Sequence, residues 1–345
     1  VIKITNKQKS EENMNNKGKF NNSRGFGVEI EFLRPREVSR EDIANAIEAR
    51  TNIHCLEEEY NHTTRTYWKL VNDSSVYTTI SNWLGHNEIV SPILYGADGL
   101  SQLKLVLDVL NDLDCKVNRN CGIHIHHDVT EKMIEGKKEG QTFLMNLIKF
   151  VAKYEHLIYK LVAPSRLDDR RYSTPVRREY FNGMDKLGVR QMVKMLKQDC
   201  DNKYRYGNEL GSGMGCPNVQ YSRGCGLNLR NVWTRGSVEF RYHNGSLNFG
   251  KIANWIVITQ AIVNTVEGIK SVQMNYVPND VERGLWRLRK ALGFVATETD
   301  TIVNCASSYM LKRYKQLSAR EVEYNANDDY RNFVQDGLET NMEVI

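Results

Sequence analysis

Three short segments each carry a pair of ionisable or metal-ligating residues two positions apart. These are Glu29 and Glu31 in GVEIEFL, His124 and His126 in GIHIHHD, and Glu239 and Arg241 in SVEFRYH. In a β-strand, residues two apart share a face. The spacing therefore sets each pair side by side and turns Val28, Ile30, Phe32, Ile123, Ile125, Val238 and Phe240 the other way, into a core. The run NEIVSPIL adds Glu88. One charged strand face is ordinarily just solvated. Four carboxylates with one or two imidazoles on a shared face repel one another unless cations lie between them. Oxygen-rich ligands with a little imidazole suit Mg2+ or Mn2+ better than a structural zinc. Four carboxylates also exceed what a single Mg2+ takes from protein, so two or more ions are expected.

The elements that must position these residues alternate along the chain. Strand-like runs are Gly27–Leu33, Trp68–Val76, Asn87–Leu94, Gly122–Asp128, Cys225–Val232 and Ser237–His243, rich in β-branched or aromatic residues. Helical periodicity covers Glu41–Arg50, Leu100–Leu113, Gln141–Leu161, Val189–Gln198, Lys251–Val266, Asp280–Leu292 and Ser308–Gln316. No glycine-rich phosphate loop follows the first strand, which argues against a Rossmann or P-loop unit. The expected fold is α+β, a mostly antiparallel curved catalytic sheet backed by helices.

The chain has 345 residues, 41% of them hydrophobic, enough for a large core. Residues 1–24 are Asn- and Lys-rich with a charge of +4 and read as a flexible arm; residues 319–345 carry −5 and read as an acidic extension. A catalytic domain is expected over residues 25–318. The net charge of +5 fits anionic substrates such as nucleotides, but it is not gathered into the basic stripe of a nucleic-acid binder. No apolar run approaches the ~18 residues of a membrane span, and no export signal is visible. Seven cysteines without a CxxC pair fit reduced thiols, hence a cytoplasmic setting.

The segments GFGVEIEF, WKLVNDSSV, NEIVSP, CGIHIHHD and SVEFRYHNGSLN, in that order over roughly Gly25 to Val266, resemble the amidoligase family. That family belongs to the glutamine synthetase and γ-glutamylcysteine ligase superfamily of carboxylate–amine ligases. The resemblance implies a glutamine synthetase-like catalytic domain and an ATP-dependent ligation through an acyl phosphate. It implies that Glu31 and Glu88 hold one divalent ion, and that Glu29, His124 and Glu239 hold a second beside the nucleotide phosphates. His126 would approach those phosphates, and Arg241 would stabilise the transferring phosphoryl group or bind the substrate carboxylate. Asp73 matches the position that binds and deprotonates the amine. Arg171 and Arg223 resemble positions that clamp phosphate or carboxylate. Glutamine synthetase has a third carboxylate at its first metal, and no residue here is matched to it.

These residue types suit that chemistry. A carboxylate is a poor electrophile until phosphorylated, and phosphoryl transfer needs positioning and charge neutralisation. The amine must then attack as the free base, which calls for a nearby carboxylate. The expected substrates are a small-molecule or peptide carboxylate and an amine, with all motifs on one chain and the site completed in cis.

Other features have plainer readings. His127 falls on the face opposite His124, and His54, His62, His86 and His156 show no ligand spacing. Cys121 reads as a small buried residue, and Glu57, Glu58 and Glu59 read as a solvated helix end. GNELGSGMGCP lacks the Lys-Ser/Thr of a Walker loop and suggests a substrate-gating loop. Trp255 and Tyr154 fall on helical core stripes. Two rival functions are a metal-dependent hydrolase using the HxH pair, which lacks the further ligands and barrel repeats it needs, and an inactive ligase-fold binding protein, which would not need the full charged set. A phosphotransferase of the related guanidino-kinase branch would consume ATP without an amine.

Overall fold

The computed structural model describes residues 18–130, 138–167, 173, 175–176, 225–229, 231–267, 269–275, 277–295 and 300–327. Seven strands form one sheet: β1 (Phe26–Pro35), β2 (Cys55–Glu57), β3 (Trp68–Val71), β4 (Trp83–Val90), β5 (Gly122–Asp128), β6 (Leu227–Asn228) and β7 (Ser237–Asn244). Their order is β2-β3-β4-β1-β5-β7-β6. Every neighbouring pair is antiparallel except β2 and β3. The fold is therefore α+β, with a mixed, mostly antiparallel sheet.

The helices are α1 (Arg40–Thr51), α2 (Gly96–Asp112), α3 (Lys138–Ile158), α4 (Val232–Arg235), α5 (Phe249–Glu267), α6 (Val281–Leu292) and α7 (Thr301–Asn327). Ser39 starts α1 with a reciprocal capping box to Asp42, and Asp280 caps α6 by accepting from the Arg283 N–H. α5 is apolar nearly all round, and it sits at the centre of the helix layer with α3, α6 and α7 around it. Val28, Ile30, Phe32, Ile123, Ile125, Val238 and Phe240 are all buried, as their alternation requires. His127 shares their side of the sheet and pairs its Nε2 with Thr259 Oγ1 of α5 at 2.8 Å.

Several boundaries differ from the sequence pattern. The Trp68–Val76 run is a strand only to Val71, because Asp73 accepts from the Ser75 N–H at 2.7 Å and folds the chain into a turn. The Cys225–Val232 run is strand only over Leu227–Asn228 before α4 begins. Glu57 to Glu59 are not a helix end. Glu57 closes β2, whose parallel pairing with β3 no local pattern signals, and Glu58 pairs with Arg65 at 2.9 Å. The helix expected over Ser308–Gln316 runs from Thr301 to Asn327, past residue 318. The helix expected over Val189–Gln198 and the GNELGSGMGCP segment lie outside the described residues.

Two buried polar contacts tie distant parts together. At the end of the polar arm Phe20 is buried, and Arg24 ion-pairs with Glu267 at the close of α5 while its Nε donates to Asn264 Oδ1 at 2.9 Å. Behind the sheet, Glu155 of α3 accepts from Tyr242 O–H at 2.6 Å and from the Val176 N–H at 2.7 Å. Burial pushes the Glu155 carboxyl up to about 7 despite those two hydrogen bonds.

Replacing Arg24 by Met strands the Glu267 carboxylate, and urea unfolding should show a loss of ~3 kcal/mol at unchanged m. Glu155 makes stability depend on pH. Its folded pKa lies above the ordinary 4.5, so the native state binds the proton more tightly than the unfolded chain. The Glu155 contribution to stability should be largest below pH 4.5, fall as pH rises to about 7, and level off above. The span is about 3 kcal/mol. Glu155→Gln keeps an acceptor for both donors, and urea midpoints measured at several pH values should lose that slope.

Candidate active site

The ladders on either side of β1 assemble the site. Glu31 lies opposite Glu88 of β4, Glu29 lies opposite His124 of β5, and His126 lies opposite Glu239 of β7. A register shift between Ile123 and Ile125 lets β7 advance relative to β5, and Arg241 reaches over His124, with Nη1 and Nδ1 3.4 Å apart. Glu29, Glu31, Glu88, His124, His126, Glu239 and Arg241 thus meet on the face turned away from α5.

They form two clusters around one imidazole. Glu29, His124 and Glu239 bring one ligand atom each within 4.8 Å of one another, and so do Glu31, Glu88 and His124. His124 Nδ1 lies 3.1 Å from Glu29 Oε2 and 3.8 Å from Glu239 Oε1, while its Nε2 lies 3.7 Å from Glu31 Oε1. His124, Glu31, Glu88 and Glu239 are all buried, and the Glu29 side chain is 21% exposed. Three donor atoms at this spacing, mostly carboxylate oxygens, fit a hard divalent ion with room for water or phosphate oxygens. His124 is the third member of the Glu31 and Glu88 group, a place for which the sequence offered no candidate.

The electrostatics divide the carboxylates. Burial would raise Glu29, but the charge of His126 and hydrogen bonds with His124 and His126 hold it well below the usual carboxylate range. Glu239 is likewise held low against its burial, chiefly by the Arg241 guanidinium that ion-pairs with it. Glu88 goes the other way. Burial and then the charges of Glu29, Glu31 and Asp73 push its carboxyl well above the usual range. His126, 3.2 Å from Glu29 Oε1, is shifted upward because Glu29 and Glu239 outweigh the burial that would lower it. A divalent ion would relieve the repulsion that raises the proton affinity of Glu88.

Supporting groups fix these side chains. Asn228 and Asn231 both donate to Glu239 Oε2, at 2.7 and 3.1 Å, leaving Oε1 toward Arg241 and His124. The Gly122 N–H donates to Glu31 Oε2 at 2.5 Å. Arg166, buried in a 3-10 turn, donates to the Cys121 carbonyl beside it. A Cβ on Gly122 would lie 2.8 Å from Arg166 Nη2 and 3.3 Å from His124 Nε2, so a side chain there would make the guanidinium end shift and crowd the imidazole. The period-2 alternation of Leu227 and Asn228 foreshadows the asparagine, whereas nothing local points to Arg166, which the 3-10 turn delivers.

The remaining candidates are placed differently. Asp73 sits in the turn after β3, at the Glu31 and Glu88 end, near enough to act on Glu88. Arg171 and Arg223 lie outside the described residues. Cys121 is buried and its thiol is pushed up to about 12, mainly by burial, which removes it as a nucleophile.

The family profile described as "Putative amidoligase enzyme" matches residues 22–263. The chain belongs to the amidoligase family. Every strand of the sheet lies within the match, which ends inside α5 and leaves α6 and α7 beyond it. Among solved structures, the chain is similar to a bifunctional glutathione synthetase from Pasteurella multocida, at 11% identity and a TM-score of 0.46 over 97% of this chain and 53% of that one. It is also similar to the complex between the prokaryotic ubiquitin-like protein Pup and its ligase PafA, at 10% identity and a TM-score of 0.35 over 90% of this chain and 66% of that one. This amidoligase therefore spans about half the length of the glutathione synthetase chain it matches. No curated protein matches it. Among the described residues, no helix is long and apolar enough to cross a membrane.

In this amidoligase Gly122→Ala should displace His124 and the Arg166 guanidinium together. Stabilisation by Mn2+ in a thermal melt should fall by at least half, while the far-UV circular dichroism of the fold is retained.

Proposed function

We propose that this amidoligase joins a carboxylate to an amine in an ATP- and Mg2+-dependent reaction through an acyl phosphate, on a glutamine synthetase-like catalytic domain spanning residues 25–318. The observation that carries the reading is the pair of carboxylate-rich clusters sharing His124, with Arg241 alongside. Divalent cations held there would supply charge neutralisation for phosphates and help orient the phosphoryl group.

The residues of this chain take distinct parts. Glu29, His124 and Glu239 would hold the ion nearer the nucleotide, and Glu31 and Glu88 the other, since a neutral imidazole has one lone pair and His124 can ligate only one ion at a time. Asn228 and Asn231 keep one oxygen of Glu239 occupied, so the second points inward. His126, biased toward its charged form by Glu29 and Glu239, offers a donor to phosphate oxygens. Arg241 is a permanent positive charge at the same face and stabilises the phosphoryl group during transfer. The substrate carboxylate takes the γ-phosphoryl group of ATP and ADP leaves; the amine then attacks the carbonyl carbon of the acyl phosphate and phosphate leaves. Asp73, at the Glu31 end, accepts the proton of the attacking amine. Arg171 and Arg223 complete the phosphate or carboxylate clamp in this reading. The substrates belong to the class of small-molecule or peptide carboxylates and amines.

A zinc hydrolase built on the HxH pair fits the donors less well. Both imidazoles lean on the Glu29 carboxylate, and carboxylate oxygens outnumber imidazole nitrogens in each cluster.

Thermal melting with ATP and Mg2+ separates the two. At about 100 times its Kd a ligand stabilises by ~2.7 kcal/mol. The stabilisation should require nucleotide and metal together and should vanish in Glu31→Ala. Stabilisation by zinc alone, with no response to nucleotide, would replace the ligase with the hydrolase.

A further inference from the structure

The connection Glu58–Tyr67, which joins β2 to β3, is tied down from both sides of the charged face. Lys69 of β3 lies opposite Val90, which in turn lies opposite Glu29, so its side chain shares the face of the carboxylates. It is buried, and its Nζ donates to the Asn61 carbonyl at 3.0 Å, to Asn61 Oδ1 at 2.8 Å and to the Thr63 carbonyl at 2.9 Å. An ammonium has three donors, and this one segment takes all of them. From the other side, Arg235 at the close of α4 donates to the His62 carbonyl. The same short helix begins after Asn231, which donates to Glu239.

Asn61 and His62 are consecutive, so Lys69 and Arg235 grip neighbouring peptide groups. Between β3 and β7 the sheet has β4, β1 and β5, and the segment passes over them as a strap. It crosses at the His126 end, since Ser237, just past Arg235, has its Oγ 3.5 Å from His126 Nδ1. Glu58 fixes the shape of the strap by accepting from Asn61 Nδ2 at 2.7 Å, Arg65 Nε at 2.9 Å and Tyr67 O–H at 2.6 Å. Beneath it the floor is bare. Gly27 lies opposite His126, and Gly25 and Gly27 continue the alternation of Glu29 and Glu31 without a side chain. A Cβ on Gly25 would lie 2.8 Å from Ile93 Cγ2 and 3.3 Å from Tyr95 Cε1. The floor thus runs on to a cleft of about 490 Å³ between Thr64–Thr66 of the strap and Pro92–Tyr95, where Ile93 and Tyr95 are exposed.

We propose that Asn61–Thr66 is a strap over the nucleoside end of the bound nucleotide, and that Lys69 and Arg235 are the positioning residues that hold it there. Under the ligase reading, on which this rests, the phosphates lie at Glu29 and His126. In one direction along β1 stand Glu31, Glu88 and Asp73, the end given to the carboxylate and the amine. The nucleoside therefore runs the other way, along the Gly27 and Gly25 floor and under the strap. Its flat base covers the exposed Tyr95 ring and Ile93. Lys69 and Arg235 act through the main chain of the strap and do not touch the nucleotide.

The test is isothermal titration calorimetry of the full chain with Mg2+, against ATP and against inorganic tripolyphosphate, which has the phosphates and no nucleoside. ATP should bind the wild type at least about tenfold more tightly than tripolyphosphate. Lys69→Met and Arg235→Met should each weaken ATP about fivefold and leave tripolyphosphate unchanged. The double variant should be no weaker than the worse single one, because both residues act through one strap. Equal binding of ATP and tripolyphosphate, full ATP affinity in either variant, equal weakening of both ligands, or additive losses would each overturn the strap and leave the ligase reading intact. Binding of neither ligand to the wild type would overturn both. Should Lys69→Met fail to fold, Arg235→Met decides, since its side chain is exposed. Weaker ATP beside unchanged tripolyphosphate sustains the strap, and unchanged ATP removes it.

Discussion

Glu29, Glu31, Glu88 and Glu239 share one face of one sheet, three of them buried, and their mutual repulsion is the constraint around which the molecule is arranged. Two like charges 4 Å apart repel by roughly 4 kcal/mol at an effective dielectric of about 20. Protein groups offset part of this. Arg241 pairs with Glu239, both imidazoles lean on Glu29, and the Gly122 N–H holds Glu31. At Glu88 the charge of Arg241 does not outweigh burial and the neighbouring carboxylates, and its raised proton affinity records the remainder. A divalent ion bound among these carboxylates would relieve that remainder.

The rest of the fold keeps those groups where they are. Burying the apolar side of β1, β5 and β7 against the helix layer fixes which side chains face outward, because alternation leaves no other choice. α5, apolar nearly all round, is the anvil against which the sheet is pressed. Arg24 and Glu267 fasten the arm to its far end, and Glu155 holds the Val176 backbone to Tyr242 of β7. Supporting contacts then narrow the freedom of single side chains. Asn228 and Asn231 turn Glu239, and a glycine at position 122 makes room for Arg166 beside His124.

Alternation alone made the charged face legible. Glu29 with Glu31, His124 with His126, and Glu239 with Arg241 follow from a two-residue period, which is a local property of extended chain. The helix Val281–Leu292, with its strong periodicity, and Arg40–Thr51, with its capping box, were legible for similarly local reasons. Pairing partners and register are not local, since they depend on segments scores of residues apart. Only the tertiary structure set Glu31 opposite Glu88, made His124 common to both clusters, brought Asn228, Asn231 and Arg166 to their supporting places, and closed β2 onto β3 in parallel. The sequence by itself determined which residues stand on the charged face. Long-range hydrogen bonding and packing against α5 decided which of them touch.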